Sequence, residues 1–323
     1  MRAAYVERLG PPEEIRFGEL PDPRPGPTDV LVTVAAGTVN VVDGLVRSGR
    51  YRTAVPLPFV VGRDLAGTVA AAGPGAVGFA PGDAVWCNSL GHDGRQGAAA
   101  ELAVVAADRL YHLPPGVPPP AAVTLLHPAA TAHLALFTHG RLRPGETVVV
   151  AGAAGNIGSA LVALAAQAGA RVVATASAAD AGYCAALGAA EVLDYRAAGL
   201  ASGLAAACPG GAGLYVDTSG RNDLAEALPL LAGRGRVVVL AGAASRLAAP
   251  AADLYLHDRT VTGFVISRAT TAELADAAAS VNRLLAAGVR SRATLELPLS
   301  ATAEAHRRLE DGSLRGRRVL LRP

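Results

Sequence analysis

The 323-residue sequence predicts an α/β protein in which a doubly wound parallel sheet is joined to a smaller β-rich domain. From residue 121 to about residue 288, apolar strand-like runs alternate with alanine-rich helical segments, which is typical of a parallel sheet covered on both faces. Residues 1 to about 121 instead contain short strand-like runs separated by proline and glycine clusters. The length and a hydrophobic content of 51% are sufficient for two domains, each with its own core.

The N-terminal part is predicted to be a small β-rich domain. Its strands cover residues 2–6, 29–35, 67–72, 84–86 and 101–105. Proline-rich segments at 21–27 and 114–120 form a stiff connector and the end of this domain.

The second part is predicted to alternate between strands and helices. Strands begin at residues 148 and 172 and cover 191–193, 214–217, 236–241 and 260–266, and a helix covers 272–287. The tail returns to strand, helix and strand, with a last strand at 319–321 that Arg315, Arg317 and Arg318 flank. We expect the tail to rejoin the first domain. The predicted domains are therefore residues 1–121, 122–288 and 289–323.

A glycine-rich turn joins the strand at 148 to the following helix. It reads Gly-Ala-Ala-Gly-Asn-Ile-Gly from Gly152 to Gly158, with Ala153 where the G-x-G-x-x-G pattern has its first glycine. Gly155 allows close approach of a pyrophosphate, Gly158 allows the helix to pack on its strand, and the helix start offers free N–H donors. The sequence predicts the first half of a Rossmann dinucleotide-binding unit, and the alternative is a tight turn with no ligand.

The residues after the second strand indicate which dinucleotide is bound. NAD-specific units place Asp or Glu at the end of this strand, whereas this chain has Ser177 there and Tyr195 and Arg196 after the third strand. A 2′-phosphate would meet a hydroxyl and an arginine, so the sequence predicts NADPH; the alternative is that Arg196 is a solvated surface charge. The predicted cofactor-binding residues are Ala153, Gly155, Asn156, Ile157, Gly158, Ser177, Tyr195, Arg196 and Gly242.

Composition excludes several classes of function. The formal charge is only +2, with basic residues scattered, so we expect neither a nucleic-acid nor a membrane partner. The chain contains no lysine, which excludes Schiff-base chemistry on a lysine. Cys87, Cys184 and Cys208 are too few for a disulfide framework or a zinc cluster. We find no signal peptide and no apolar run long enough to span a bilayer, so we expect a cytoplasmic protein.

Five further motifs are spread over most of the chain. They are Ala-Gly-Thr-Val-Asn-Val-Val-Asp at 36–43, Arg-Ser-Gly-Arg-Tyr at 47–51, Pro-Phe-Val-Val-Gly-Arg-Asp-Leu-Ala-Gly at 58–67, Pro-Gly-Asp-Ala-Val at 81–85 and Leu-Arg-Pro-Gly-Glu at 142–146. With the domain order, they resemble the medium-chain dehydrogenase/reductase superfamily. The Asn-x-x-Asp and Arg-Ser-Gly-x-Tyr patterns are similar to its zinc-free NADPH:quinone oxidoreductase branch. This resemblance implies a GroES-like catalytic domain beside a Rossmann domain.

The resemblance also implies which residues meet the substrate. Zinc-dependent relatives have Cys, His and usually Cys at the positions of Asn40, Arg63 and His127, and an amide with a guanidinium cannot complete a zinc site, so we expect no metal. Asn40 and Tyr51 are the candidate hydrogen-bond donors to the substrate, the alternatives being a turn-capping asparagine and a half-buried tyrosine. Asp43 is expected to orient its neighbours. His127 is a candidate proton donor, or else a histidine that starts a helix and is satisfied by backbone.

The function that this resemblance implies is hydride transfer from NADPH to an electron-poor acceptor. Without a metal, the acceptor must be a quinone or another conjugated carbonyl compound. The alternatives are an enoyl or enone double-bond reductase, a non-catalytic NADPH-binding protein and a zinc alcohol dehydrogenase. His92 and Asp93, in the polar loop at 87–96, either contact a polar substrate or belong to a solvated loop. An apolar edge strand at 259–266 predicts a homodimer.

Overall fold

The computed structural model describes residues 1–314 and 316–323, so Arg315 lies outside the described residues. Its strands are β1 (Arg2–Val6), β2 (Arg16–Glu19), β3 (Asp29–Gly37), β4 (Phe59–Val60), β5 (Leu65–Ala72), β6 (Ala84–Cys87), β7 (Leu102–Ala106), β8 (Tyr111–His112), β9 (Thr147–Ala151), β10 (Arg171–Ala176), β11 (Glu191–Asp194), β12 (Ala212–Asp217), β13 (Leu231–Val239), β14 (Thr260–Gly263), β15 (Thr294–Pro298) and β16 (Arg318–Arg322). Its α-helices are α1 (Val41–Arg47), α2 (Pro119–His133), α3 (Asn156–Gln167), α4 (Ala181–Ala186), α5 (Leu200–Ala207), α6 (Leu224–Ala227), α7 (Ala251–Tyr255), α8 (Thr271–Ala286) and α9 (Thr302–Glu310). The chain divides into two compact units.

Unit 1 comprises Met1–His127 and Leu274–Pro323. Its larger sheet has the order β15-β16-β3-β5-β6-β8, with β7 also paired to β3, and a second sheet has the order β2-β1-β4. Alternate residues of β3, Val30, Val32 and Val34, are buried in the core of the larger sheet. The strands that the sequence did not predict, β2, β4 and β8, are two to four residues long. Segments this short carry too few residues for a periodic pattern.

The C-terminal strand β16 brings the end of the chain to the candidate substrate-binding residues. It pairs in parallel with β15 and in antiparallel with β3, where Leu321 lies opposite Gly37. The segment that leads from β3 into α1 begins directly after Gly37. The start of β16 and the start of α1 are therefore neighbours within unit 1.

Unit 2 comprises Pro128–Glu273 and contains one parallel sheet of the order β11-β10-β9-β12-β13-β14. This is the doubly wound arrangement that the sequence predicts, with the topological switch at β9. The strand predicted at 260–266 was too long, because β14 ends at Gly263 and a 3-10 turn follows at Ile266–Arg268. Between them, the ring of Phe264 stacks on His139 at 4.2 Å between ring centroids.

Helix α2 continues as a π-helix at Leu134–His139. The combined segment, Pro119–His139, is long and apolar enough to cross a membrane, with a mean hydropathy of 1.3. The segment is not an uninterrupted apolar run, because His127 and His133 lie within it. In addition, 83% of that apolar window is buried inside the protein, which is what a core helix shows.

Candidate active site

Seven polar side chains are buried together in unit 1, and they include three of the predicted site residues. The cluster consists of Thr38, Asn40, Asp43, Arg63, Asp64, His127 and Arg318, each at most 9% exposed. Buried charges are rare in proteins unless they are paired or functional. We call this set the buried polar cluster.

Asn40 and Asp43 are fixed by the start of α1. Asn40 is the N-cap residue, in an extended conformation, and its backbone N–H donates to Asp43 Oδ2 at 2.7 Å. This bond agrees with the expected orienting role of Asp43. The Asn40 side chain accepts a hydrogen bond at Oδ1 from Arg318 Nη2 at 2.8 Å. Its Nδ2 is buried and has no hydrogen bond of normal geometry to the described residues, although it lies near enough to Asp43 and Asp64 to lower their pKa values.

The two carboxyl groups of the cluster are held in an unusual protonation range. Burial raises the pKa of Asp43 to about 6 and that of Asp64 to about 7, against the opposing effect of the Arg63 and Arg318 guanidiniums. Both Asp64 oxygens are buried without a hydrogen-bond partner among residues 1–314 and 316–323. Arg63 Nε lies 3.9 Å from Asp43 Oδ1. Burial therefore favours the protonated form of Asp64.

His127 lies inside α2 rather than at its start, contrary to the alternative interpretation of this residue. Its Nδ1 is 3.9 Å from Asp64 Oδ1 and has no hydrogen-bond partner in the part of the chain that the structure describes. Burial, followed by the charges of Arg63 and Arg318, lowers the pKa of His127 well below its usual range. The imidazole is therefore neutral at pH 7 and acts as a hydrogen-bonding group rather than as a cation.

Tyr51 and His92 approach the cluster from neighbouring loops. Tyr51 is half-buried against the core and lies near Arg63, whose pKa is lowered by burial. His92 is only 3% exposed, so the alternative of a solvated loop is wrong for this residue, whereas the Asp93 side chain is 76% exposed. His92 Nδ1 lies 3.0 Å from the Leu90 carbonyl, and its Nε2 lies 3.0 Å from Arg95 Nη2. A guanidinium only donates, so Nε2 accepts from Arg95, while Nδ1 lies between the Leu90 carbonyl and Arg63 Nη2, which is 3.3 Å away.

A zinc ion does not fit this cluster. The side chains that stand at the positions of the expected zinc ligands are an amide, a guanidinium and an imidazole, and the guanidinium of Arg63 has no lone pair to offer a metal. Within the described ranges, no three His, Cys, Asp or Glu side chains lie together as a metal site requires.

The predicted cofactor-binding turn lies at the carboxyl end of β9, in unit 2. Gly155 is the N-cap of α3, no side chain caps the helix, and its first backbone bond runs from Ser159 N–H to the Gly155 carbonyl. The amides of Asn156, Ile157 and Gly158 therefore precede the helical bonding and are available to an anion. A Cβ on Gly158 would lie 2.1 Å from the Gly152 carbonyl oxygen, so only glycine fits there. Ala153 is fully buried in the same turn.

The other predicted cofactor residues lie along the same edge of the parallel sheet. Ser177 follows β10, and its hydroxyl donates to Asp180 Oδ2 at 2.7 Å, so the single proton of that hydroxyl is already engaged. Tyr195 follows β11 and is 43% exposed, with the Arg196 guanidinium 5.0 Å from the centre of its ring. Gly242 follows β13, against the Gly220 carbonyl. The structure thus brings an acidic group, Asp180, beside the residue expected to bind a phosphate.

Asp217, at the carboxyl end of β12, organises the loop between these segments. Its carboxylate accepts hydrogen bonds from the backbone N–H groups of Ser219, Gly220 and Asn222 and from the Ser219 hydroxyl. A cavity of about 320 Å³ lies beside it, lined by residues that include Gly152, Thr175 and Tyr195. The sequence analysis missed Asp217, Asp180, Asp64 and the role of Arg318. An acid that directly ends an apolar strand was the available signal for Asp217.

Two family models match the chain, the alcohol dehydrogenase GroES-like domain over residues 26–115 and the zinc-binding dehydrogenase model over residues 156–281. Quinone oxidoreductase of Mus musculus is 30% identical over 328 residues, which cover 99% of this chain and 98% of that protein. The chain belongs to the quinone oxidoreductase branch of the medium-chain dehydrogenase/reductase superfamily. The predicted family is therefore confirmed, and the protein is an oxidoreductase.

Solved structures of medium-chain dehydrogenases/reductases resemble the whole chain. An NAD-dependent alcohol dehydrogenase superposes with a TM-score of 0.88 at 29% identity, covering 100% of both chains. A mycobacterial relative solved in complex with NADPH superposes with a TM-score of 0.82 at 28% identity, again covering 100% of both chains. These similarities confirm the predicted fold class, with a GroES-like domain and a Rossmann sheet, and indicate a nicotinamide dinucleotide as the cofactor.

Proposed function

We propose that the protein is a zinc-independent reductase that uses NADPH to reduce a quinone or another electron-poor conjugated carbonyl compound. The observation that carries this proposal is the composition of the buried polar cluster. Where zinc-dependent relatives are expected to have metal ligands, this chain presents an amide donor, Asn40 Nδ2, beside buried charged groups. Such a site activates an acceptor by hydrogen bonding rather than by a Lewis acid, which suits acceptors that are already electrophilic.

The cofactor-binding edge of unit 2 fits a dinucleotide. The free amides of Asn156, Ile157 and Gly158 would hold the pyrophosphate, and the cavity near Asp217 would take part of the adenosine half. Ser177, Tyr195 and Arg196 would surround the 2′-phosphate, with Arg196 supplying the positive charge. Asp180 opposes that phosphate, so we expect a modest rather than a strict preference for NADPH. When bound, NADPH supplies the hydride.

The residues of the buried polar cluster would act on the acceptor. Asn40 Nδ2 would donate a hydrogen bond to the acceptor oxygen as negative charge develops there, and the Tyr51 hydroxyl is the second candidate donor. Asp43 holds the backbone of Asn40 in place. His127, neutral at pH 7, would donate or accept a hydrogen bond without adding charge. Asp64, with its pKa raised by burial to about 7, can hold a proton beside His127 at neutral pH.

The test is anaerobic oxidation of NADPH by chelator-treated protein against ortho-quinones, para-quinones and enones, with NADH in parallel. We expect turnover of quinones, unchanged by the chelator, and a loss of about 100-fold in kcat for Asn40→Ala, the magnitude seen when one oxyanion donor is removed. Turnover confined to enones would favour the double-bond reductase. NADPH binding without any turnover would favour a non-catalytic binding protein. Loss of activity with the chelator would favour a zinc-dependent alcohol dehydrogenase.

We further propose a cytoplasmic homodimer without nucleic-acid or membrane partners. Strand β14 is the last in the order of the parallel sheet, with Val261 and Thr262 only half-buried. An uncovered sheet edge pairs readily with another strand, and its own copy is the simplest partner. Light scattering after gel filtration should give twice the chain mass of 32.4 kDa. Thr262→Lys should shift this mass toward the monomer, because a charged lysine on an edge strand opposes pairing with another strand. A monomeric wild-type protein would contradict the proposal.

A further inference from the structure

We propose that Arg318, the first residue of β16, is a positioning residue that orients the Asn40 amide so that its Nδ2 is available to the acceptor oxygen. This inference rests on the proposed function, in which Asn40 supplies that hydrogen bond. Arg318 is 5% exposed and lies more than 270 residues after Asn40 in sequence. It is neither a surface flank of the last strand nor part of a polyanion site.

The chemistry of the contact fixes which way the amide points. Arg318 Nη2 lies 2.8 Å from the Asn40 side chain, and a guanidinium has donors only, so the facing atom must be the amide oxygen. A flipped amide would place an NH₂ group against the guanidinium, with two donors facing each other. The Nδ2 atom is therefore directed away from Arg318, and it is the amide atom that is buried without a hydrogen bond to the described residues.

Arg318 can impose this orientation because its own position is fixed by contacts with two other segments, α2 and the residues that follow β3. Its Nε donates to the Thr124 carbonyl of α2 at 3.1 Å. Its Nη2 also lies 3.4 Å from Thr38 Oγ1, and the Thr38 hydroxyl donates to the Val319 carbonyl at 2.6 Å. The planar fork of arginine reaches these partners together, whereas a lysine ammonium is a single point on a flexible stem. We therefore expect lysine to replace Arg318 only in part.

The charge of Arg318 stabilises the same arrangement. The guanidinium lies near the Asp43 and Asp64 carboxyls and lowers the pKa of each, which burial alone would raise further. The Asn40 Nδ2 already lies near these carboxyls, and without Arg318 nothing would hold the amide oxygen on the opposite side, so the NH₂ group could turn fully onto one carboxylate. The donor would then be lost to the acceptor even though Asn40 itself remained.

The test is a double-mutant cycle in the intact enzyme, with kcat and KM measured for the quinone that the wild type reduces fastest. The variants are Asn40→Ala, Arg318→Met and the double variant, with Arg318→Lys as the conservative change. Arg318→Met should lower kcat by about 10-fold, because the Asn40 donor is no longer held in position. Arg318→Lys should recover part of that loss. Because Arg318 acts through Asn40, the double variant should be no slower than Asn40→Ala. The exposed neighbour Arg317→Met is the matched control and should retain wild-type kcat.

The outcomes separate this inference from the proposed function. If Arg318→Met slows the Asn40→Ala enzyme by the same factor as the wild type, Arg318 acts independently of Asn40 and the inference is overturned. If Asn40→Ala is slow while Arg318→Met is not, the inference fails and the proposed function stands. If Asn40→Ala keeps full kcat, the role of Asn40 in the proposed function fails first. NADPH binding and circular dichroism identify a variant that does not fold, and the Arg318→Lys pair then completes the cycle.

Discussion

In unit 2, the groups expected to bind the cofactor are backbone amides at the start of α3, whereas in unit 1 the groups expected to meet the substrate are buried side chains. The polar side chain near the cofactor edge, Asp217, accepts four hydrogen bonds. In the buried polar cluster, by contrast, both Asp64 oxygens lack a partner within the described ranges. Substitutions in the cofactor turn should therefore act mainly through steric fit, and substitutions in the buried polar cluster mainly through charge and protonation. Substitutions that change volume alone or charge alone should separate the two.

The largest effect is expected from a methyl group in the cofactor turn. Gly158→Ala places a Cβ 2.1 Å from the Gly152 carbonyl and 2.8 Å from Ala153 Cα, so α3 must move away from the turn. The amides that would hold the pyrophosphate move with it. We expect the Kd for NADPH to rise about 100-fold, equivalent to about 2.7 kcal/mol, as measured by quenching of cofactor fluorescence.

Gly182→Ala is the matched control, because a Cβ at this position in α4 meets no atom within 4 Å. Its Kd should stay within about twofold of the wild type, and the helix should gain slightly in stability. Tight NADPH binding by the Gly158→Ala variant would show that the turn accommodates a Cβ at residue 158. Steric fit would then not distinguish the cofactor turn from the buried polar cluster.

A charge change without a volume change should act in unit 1 through pH. The pKa of Asp64 is raised by burial to about 7, above its value of about 4 in an unfolded chain, so the folded state binds the proton more tightly. The stability contributed by protonated Asp64 is present below pH 4 and is lost as the pH rises through 7. Between pH 5.5 and 8, this residue should remove about 2 kcal/mol from the free energy of unfolding. In urea titrations, the change in the free energy of unfolding between pH 5.5 and 8 should therefore differ by that amount between the Asp64→Asn variant and the wild type.

The remaining pH dependence in the Asp64→Asn protein should come from Asp43, whose pKa is raised to about 6, and, with the opposite sign, from His92, His127 and His306, whose pKa values burial lowers. Asp93→Asn is the matched control, because it makes the same chemical change on a side chain that is 76% exposed. If both variants keep the wild-type pH dependence, the Asp64 carboxyl is hydrated in solution and the cluster is not limited by protonation.

The same contrast explains what could be predicted from the sequence. The parallel sheet and the turn from Gly152 to Gly158 follow from local patterns, namely apolar strands and glycine spacing, and both were predicted. The buried polar cluster depends on contacts between distant segments, as in the bond from Arg318 to Asn40. No periodicity within β16 distinguishes an arginine that points into this cluster from one at the surface. His92 was misjudged for the same reason, since its burial comes from contacts with Arg63 and Arg95.

The smallest effect is expected at Asp180, a charged residue at the cofactor-binding edge of unit 2. Its carboxylate accepts a hydrogen bond of 2.7 Å from the Ser177 hydroxyl, at the place where a 2′-phosphate is expected. Asp180→Asn keeps an acceptor for Ser177 and removes the repulsion, so kcat/KM for NADPH should rise about 5-fold while that for NADH stays constant. Arg196→Gln should move the NADPH value about as far in the opposite direction, and both effects should shrink at high salt. Equal changes with NADH and NADPH would mean that Asp180 does not face the 2′ position, and cofactor preference would then depend on the geometry of the turn alone.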